Sequence, residues 1–217
     1  MSSEHQPRAY DGSRRQAQAQ ATQREILRAA HDLFVAHGYG TTTVAAIAAH
    51  AGVSVPTVYA GFPAKADLLR RAIETAFAGD DAPIAVADRP TAQWTVATQD
   101  PRELLRRYAV MCGEVASRAG RIYRVLVAAA DGEPVLADLL ETFEAQRLGA
   151  ARLIATAVQG RGGLREGPTL DHARDIVWIS NSPELYSLAL KRGWSLEHYV
   201  AFVRDLLLQI VADGVDS

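Results

Sequence analysis

The sequence predicts an all-α chain, with a small amino-terminal helix-turn-helix unit followed by a larger helical unit. Three observations carry that expectation. Apolar residues recur at spacings of three and four along most of the length, no stretch of useful length alternates as a strand does, and Gly, Pro and capping Ser, Thr or Asp separate the runs. At 217 residues, 48% hydrophobic and 22% charged, the chain can bury a substantial core.

Taken in order, residues 1–20 are polar and without apolar period, and their only positive charges are Arg8, Arg14 and Arg15. They are expected to form a flexible arm, either a solvated tail or one whose arginines touch phosphate or a minor groove. From about Thr22, residues Ile26, Ala29, Ala30, Leu33, Phe34 and His37 line one face of an amphipathic helix, and Gly38 ends it. His37 there reads as a cation at a helix C-terminus and not as a ligand.

Thr41 to Lys65 is the most informative stretch. Val44, Ile47, Ala48 and Ala51 give a helix of about two turns, with Thr43 placed to accept from its first unpaired N–H groups. Gly52 stands where a helix end commonly needs positive φ. Ser54 can cap a second helix, Pro56 falls in its first turn where a missing N–H is harmless, and Val58, Tyr59 and Phe62 share a face. Two short helices across the turn Ala51–Ser54 have the form of the module whose second helix enters a DNA major groove. On pattern alone, an ordinary pair of core helices is the alternative.

After Pro63, the residues Leu68, Leu69, Ala72, Ile73, Ala76 and Phe77 predict a fourth helix, completing a DNA-binding unit over 21–78. Residues 79–100 show no sustained period, so a second unit is expected over 79–217, with Trp94 an isolated aromatic near its start. Asp100-Pro101-Arg102-Glu103 then reads as cap, first-turn proline and capping-box acid. The helix it starts carries Leu104 to Val115, and a separate one with Ile122, Tyr123, Leu126, Val127 and Ala130 is expected to stop at Asp131-Gly132. Further helices are expected from Pro134 to Gln159, over 169–181, from Ser182, and from Tyr199 to Val211.

The net charge of −2 argues against a general polyanion binder, but its distribution is uneven. Residues 1–78 hold eight Lys/Arg against six Asp/Glu, and the rest hold fifteen against nineteen, a mild bias in the direction a DNA reader needs. Cys112 is the single cysteine and cannot form an internal disulfide; no apolar run approaches a membrane span, and the amino terminus lacks a signal-like apolar region. A cytoplasmic location is expected. The residues give no catalytic triad, metal-ligand spacing or phosphate loop, so neither enzyme activity nor a cofactor or metal is expected. Glu141 and Glu144, one turn apart, read as helix-surface carboxylates.

Thr42-Thr43, Ile47-Ala48, Ala51-Gly52-Val53-Ser54, Thr57-Val58-Tyr59, Phe62 and Lys65, preceded by Phe34-x-x-His-Gly-Tyr, resemble the amino-terminal domain of the tetracycline-repressor (TetR) family of transcriptional regulators. Looser likeness continues through Asn181-Ser182-Pro183-Glu184-Leu185-Tyr186 and Arg192-Gly193-Trp194-Ser195. The resemblance implies a sequence-specific regulator, a repressor released by a small effector, acting as a homodimer on a palindromic operator. A helical interaction scaffold that has lost DNA binding is the alternative. It also implies DNA contacts from Thr42, Thr43, Ser54, Val55, Pro56, Thr57, Tyr59 and Lys65, with Lys65 on a phosphate. Two positions depart from the family pattern: Gly61, where His or Tyr is usual, and Ala64, where a capping Ser, Asn or Asp is usual.

The recognition helix carries no Arg, Lys, Asn or Gln, the strong readers of base edges, and offers Thr57 with the apolar Val55 and Pro56 instead. The last helices, about 169–191 and 196–211, carry more apolar residues than one buried face needs. By resemblance they form a dimer interface through Ile176, Leu185, Leu188, Tyr199, Phe202, Val203, Leu206, Leu207 and Ile210. By resemblance an effector cavity is expected among Trp94, Tyr108, Met111, Cys112, Tyr123, Phe143 and Trp178, although each of them taken singly reads more simply as core packing. With few interior charges on this reading, the effector is expected to be apolar or aromatic.

Overall fold

The computed structural model describes residues 11–79, 93, 95 and 97–212. Among them are nine helices: α1 (Asp11–His37), α2 (Val44–His50), α3 (Val55–Gly61), α4 (Lys65–Ala78), α5 (Pro101–Ala130), α6 (Pro134–Gln159), α7 (Leu170–Ser180), α8 (Pro183–Lys191) and α9 (Leu196–Leu208). The only β pairing among them is one isolated antiparallel bridge, Leu164 with Val211. No single described helix is long and apolar enough to cross a membrane. The chain divides into two compact units, residues 1–72 and 73–217, and the division falls inside α4.

In the first unit the capping expected from sequence is realised. The Thr43 hydroxyl accepts from the Ala46 N–H and the Ser54 hydroxyl from the Thr57 N–H, each satisfying a donor that a helix start leaves without an intrahelical partner. Gly52 takes a φ of +67°, and the axis bends by 103° between α2 and α3. Ile26, Phe34, Ile47, Val58 and Phe62 are buried, and Phe34 stacks on Tyr39 with ring centres 5.6 Å apart. Burying each such side chain stabilises by about 1.5–3 kcal/mol.

α1 begins at Asp11 and not near Thr22, so residues 11–20 of the expected arm are helical, while Arg8 lies outside the described residues. The reason is propagation: Ala, Gln and Arg are good helix formers, and each added residue gains a hydrogen bond once the packed half has nucleated. Residues 14–20 are exposed all round, which is why no apolar period marks them.

In the second unit the two helices expected over 101–130 are one helix of 30 residues. Gly113 and Gly120 do not break it. A Cβ at Gly113 would stand 2.3 Å from Val200 Cγ2, and one at Gly120 3.0 Å from Tyr186 Cδ1, so these glycines let α9 and α8 approach the α5 backbone. Asp100 caps α5 through the Arg102 and Glu103 N–H groups, Ser182 caps α8 and Ser195 caps α9. The core joins Leu104, Leu105 and Tyr108 of α5, Ile154 and Val158 of α6, Val177 of α7, and Tyr199, Val203 and Leu207 of α9.

Candidate functional site

The exposed face of α3 carries Pro56, Thr57, Tyr59, Ala60 and Gly61, with Val55 half-buried, while Val58 and Phe62 face inward. Thr43 and Ser54 are exposed beside their caps. The Thr57 and Ser54 hydroxyls are 2.7 Å apart, so one donates to the other and the pair offers outward less than two free hydroxyls would.

Thr42 does not belong with these residues. It is 3% exposed, and its hydroxyl donates to the Gly38 carbonyl at 2.7 Å, with the Leu33 carbonyl at 3.2 Å. A hydroxyl has one hydrogen, and this one ties the turn after α1. Lys65 is also engaged: its Nζ donates to the Tyr39 carbonyl at 2.9 Å and lies 4.0 Å from the centre of the Tyr39 ring.

The two departures at Gly61 and Ala64 acquire neighbours that sequence pattern did not identify. The Gln23 amide of α1 lies 3.5 Å from where a Cβ of residue 61 would stand, which brings to that end of α3 a donor type the helix lacks. Ala64 supplies no cap, but its N–H donates to Asp67 Oδ2 at 3.0 Å, the backward half of a capping box. Arg70 bonds Asp67 Oδ1 at 2.9 Å, and that hydrogen bond, followed by the one from Ala64, holds the carboxyl below the usual Asp range against a smaller opposing effect of burial.

The expected effector residues fall in two neighbouring groups. Tyr108 and Cys112 are buried in the second unit's core, with Met111 and Trp178 packed against it. The Asn181 amide donates to the Tyr108 hydroxyl at 3.2 Å. Burial pushes the Cys112 thiol up to about 12, so at neutral pH it is an unreactive thiol. Tyr123 and Phe143 instead gather around Phe77 of α4, with ring centres 6.0 and 5.7 Å from it. Trp94 lies outside the described residues.

What joins the groups is an ion pair absent from the sequence reading. The Tyr123 hydroxyl donates to Glu144 Oε1, and Arg147 Nη1 donates to both Glu144 oxygens at 2.7 and 2.8 Å. Arg147 Nη2 donates to the Trp178 carbonyl at 3.1 Å, with the guanidinium carbon 5.3 Å from the Trp178 ring centre. Arg147 is only 7% exposed and is the one buried charged residue among the described residues, while Glu144, expected at the helix surface, is half-buried. The signal was available: Arg147 continues the apolar stripe Phe143, Ala151, Ile154, Val158 at helical spacing. Arg147 Nε, Trp178 Nε1 and the Tyr199 hydroxyl are buried without a protein hydrogen-bond partner, each at a cost of about 1–3 kcal/mol. Burial also raises the Tyr199 hydroxyl's proton affinity, and nearby Arg147 partly offsets that.

The apolar residues expected at a dimer interface divide as well. Tyr199, Val203, Leu207 and Ile210 are buried within this chain, so they belong to its own core. Leu188 and Phe202 are exposed, and Ile176, Leu185 and Leu206 are half-buried. Ile179, Leu190 and Leu196 are exposed too, and Trp194 stacks on His198 and meets Phe202 edge-on at 5.4 Å. Periodicity identifies apolar faces but not what covers them.

Comparison with known proteins agrees with this geometry. Residues 26–72 match the family described as bacterial regulatory proteins, tetR family. The uncharacterized HTH-type transcriptional regulator YdeS of Bacillus subtilis (strain 168) is 28% identical over 191 residues, 87% of each chain. The complex of SmeT with triclosan superposes with a TM-score of 0.69 at 21% identity, covering 91% of this chain and 95% of that one. FadR from Bacillus subtilis with stearoyl-CoA superposes at 0.66 and 18% identity, covering 85% and 96%. The tetR-family match thus spans the helix-turn-helix, from within α1 to within α4, and the helical fold of these solved structures is shared along most of this chain.

Proposed function

We propose that the chain is a cytoplasmic, homodimeric repressor that reads a palindromic operator with two copies of α3. A small, mainly apolar or aromatic effector entering the second unit releases it. The observation that carries the reading is the pair α2 and α3, bent by 103° across a capped four-residue turn, with a polar-tipped, unburied face on α3. Thr43, Ser54, Thr57, Tyr59 and Gln23 supply the backbone and edge contacts, Val55 and Pro56 press on thymine methyls, and Lys65 keeps donors for phosphate.

Such a surface discriminates weakly per half-site, because it lacks the bidentate pairs worth about 1–3 kcal/mol each. Two copies about 34 Å apart supply the rest. The apolar body of the interior supports the effector class, as does the complex of its structural neighbour SmeT with triclosan. Coupling has a covalent route: α4 is one helix from Lys65 to Ala78, and its last turn carries Phe77 onto Tyr123 and Phe143. Selection from random DNA with the purified protein tests the reading. An enriched palindrome with half-sites one turn apart is expected; no enrichment, or one half-site bound as tightly as two, would sink it.

A further inference from the structure

We propose that the amino-terminal half of α1 is a second DNA-contacting element, whose face bearing Gln16, Gln20 and Gln23 takes the phosphates flanking the groove read by α3. This rests on the repressor reading and adds to it an interaction surface outside the α2 and α3 pair.

The surface begins at the end of the recognition helix. Residue 61 brings no side chain there, and Gln23 comes to the same place instead, its Nε2 3.5 Å and its Cγ 3.9 Å from where a Cβ of residue 61 would stand. Gln23 is exposed, and its amide has no hydrogen-bond partner among the described residues. An amide NH2 offers two donors, of a type that α3 lacks.

Helical spacing carries the face onward. Gln16, Gln20 and Gln23 stand four and three residues apart, so they line one side of α1, which continues for roughly 18 Å from Gln23 to Asp11. Residues 14–20 are exposed all round, so no part of the chain's core covers this stretch. Its charge suits a polyanion. Residues 12–24 hold Arg14, Arg15 and Arg24 and no Asp or Glu, in a chain whose net charge is −2. Position selects backbone over bases: a recognition helix reads base edges from its amino-terminal residues, whereas Gln23 stands at the last residue of α3. A neutral amide on a phosphate adds affinity without releasing a counterion, which distinguishes this contact from that of Lys65.

Titration of the full-length protein onto a mixed-sequence duplex and onto the operator selected from random DNA, at several salt concentrations, tests the surface. Gln23→Ala is expected to weaken both duplexes by about threefold for each contacted half, with the salt slope unchanged. Gln23→Lys is expected to bind both at least as tightly as the parent and to steepen the slope by about one for each half. The double variant Gln16→Glu, Gln20→Glu sets carboxylates against phosphates and should weaken both by about fivefold or more. All three variants should melt with the parent, since the residues are exposed. Parent-like affinity in Gln23→Ala or in the double variant, an unchanged slope in Gln23→Lys, or losses confined to the operator overturn the proposal. An enriched palindrome would in that case leave the repressor standing. A parent that binds neither duplex overturns the repressor reading and this surface with it.

Discussion

The Lys65 ammonium donates to the Tyr39 carbonyl at 2.9 Å while standing 4.0 Å from the centre of the Tyr39 ring. It thereby ties the first residue of α4 to the turn that leads into α2. An ammonium has three donors, so the tie leaves donors for a phosphate and fixes where they point. Lys65→Met keeps the stem over the ring and removes the charge. Stability is expected to fall by about 1 kcal/mol, as a hydrogen bond and a cation–π contact are lost at a half-buried site. DNA affinity is expected to fall for all sequences alike, with the salt slope reduced by about one per lost phosphate contact in each dimer half. Titrations of operator and random DNA at several salt concentrations check this, and a loss confined to the operator would contradict it.

Asp67 makes the start of α4 sensitive to acid. Its carboxyl is held below the ordinary Asp range, first by the Arg70 guanidinium and then by the Ala64 N–H. A depressed carboxylate contributes stability that is fully present above its unfolded value, about 3.9, and is lost as pH falls through the lower folded value. The melting temperature should therefore drop more steeply with acid in the parent than in Asp67→Asn, with the difference confined to the pH range below about 4. Coincident curves would remove Asp67 from the account. Ala64→Ser, which supplies the missing forward half of the capping box, is expected to stabilise by about 1 kcal/mol at neutral pH.

Gly113 opposes two effects that the melting temperature can weigh. Alanine in a helix interior is favoured over glycine by about 1 kcal/mol. A Cβ there, however, would meet Val200 Cγ2 at 2.3 Å and Leu196 Cδ1 at 3.4 Å. Valine is stiff at χ1, and overpacking costs about 1–3 kcal/mol, so Gly113→Ala should destabilise on balance. Val200→Ala in the same chain should recover much of the loss. A Gly113→Ala variant that melts higher than the parent would show that α9 yields readily.

Much of the fold was legible because caps and breakers act locally. Thr43, Ser54, Asp100 and Ser182 announce helix starts through a side chain two or three residues from its donor, and each caps as the sequence suggests. What was not legible depends on partners distant in sequence. Gly113 and Gly120 look like weak points in a helix until α9 and α8 are seen to press on them. Thr42 looks like a surface hydroxyl until the Leu33 carbonyl is found nine residues back. Arg147 is masked by the apolar neighbours that dominate its stripe, although its position on that stripe marks it for burial.

The same distinction decides which residues can report on dimerisation. Leu206 and Leu207 are adjacent, yet Leu207 is fully buried in the chain's own core, so a charge there would unfold the unit and report nothing about an interface. Leu188 and Phe202 are 59% and 37% exposed, so their replacement by glutamate disturbs little within the chain. The double variant Leu188→Glu, Phe202→Glu is expected to keep the parent's circular dichroism and to elute as a monomer by size exclusion with light scattering. Because the second half-site is then no longer bound intramolecularly, its operator affinity should fall by a factor on the order of 100 or more, while half-site affinity stays near the parent's. A folded variant that remains a dimer would place the interface on another surface.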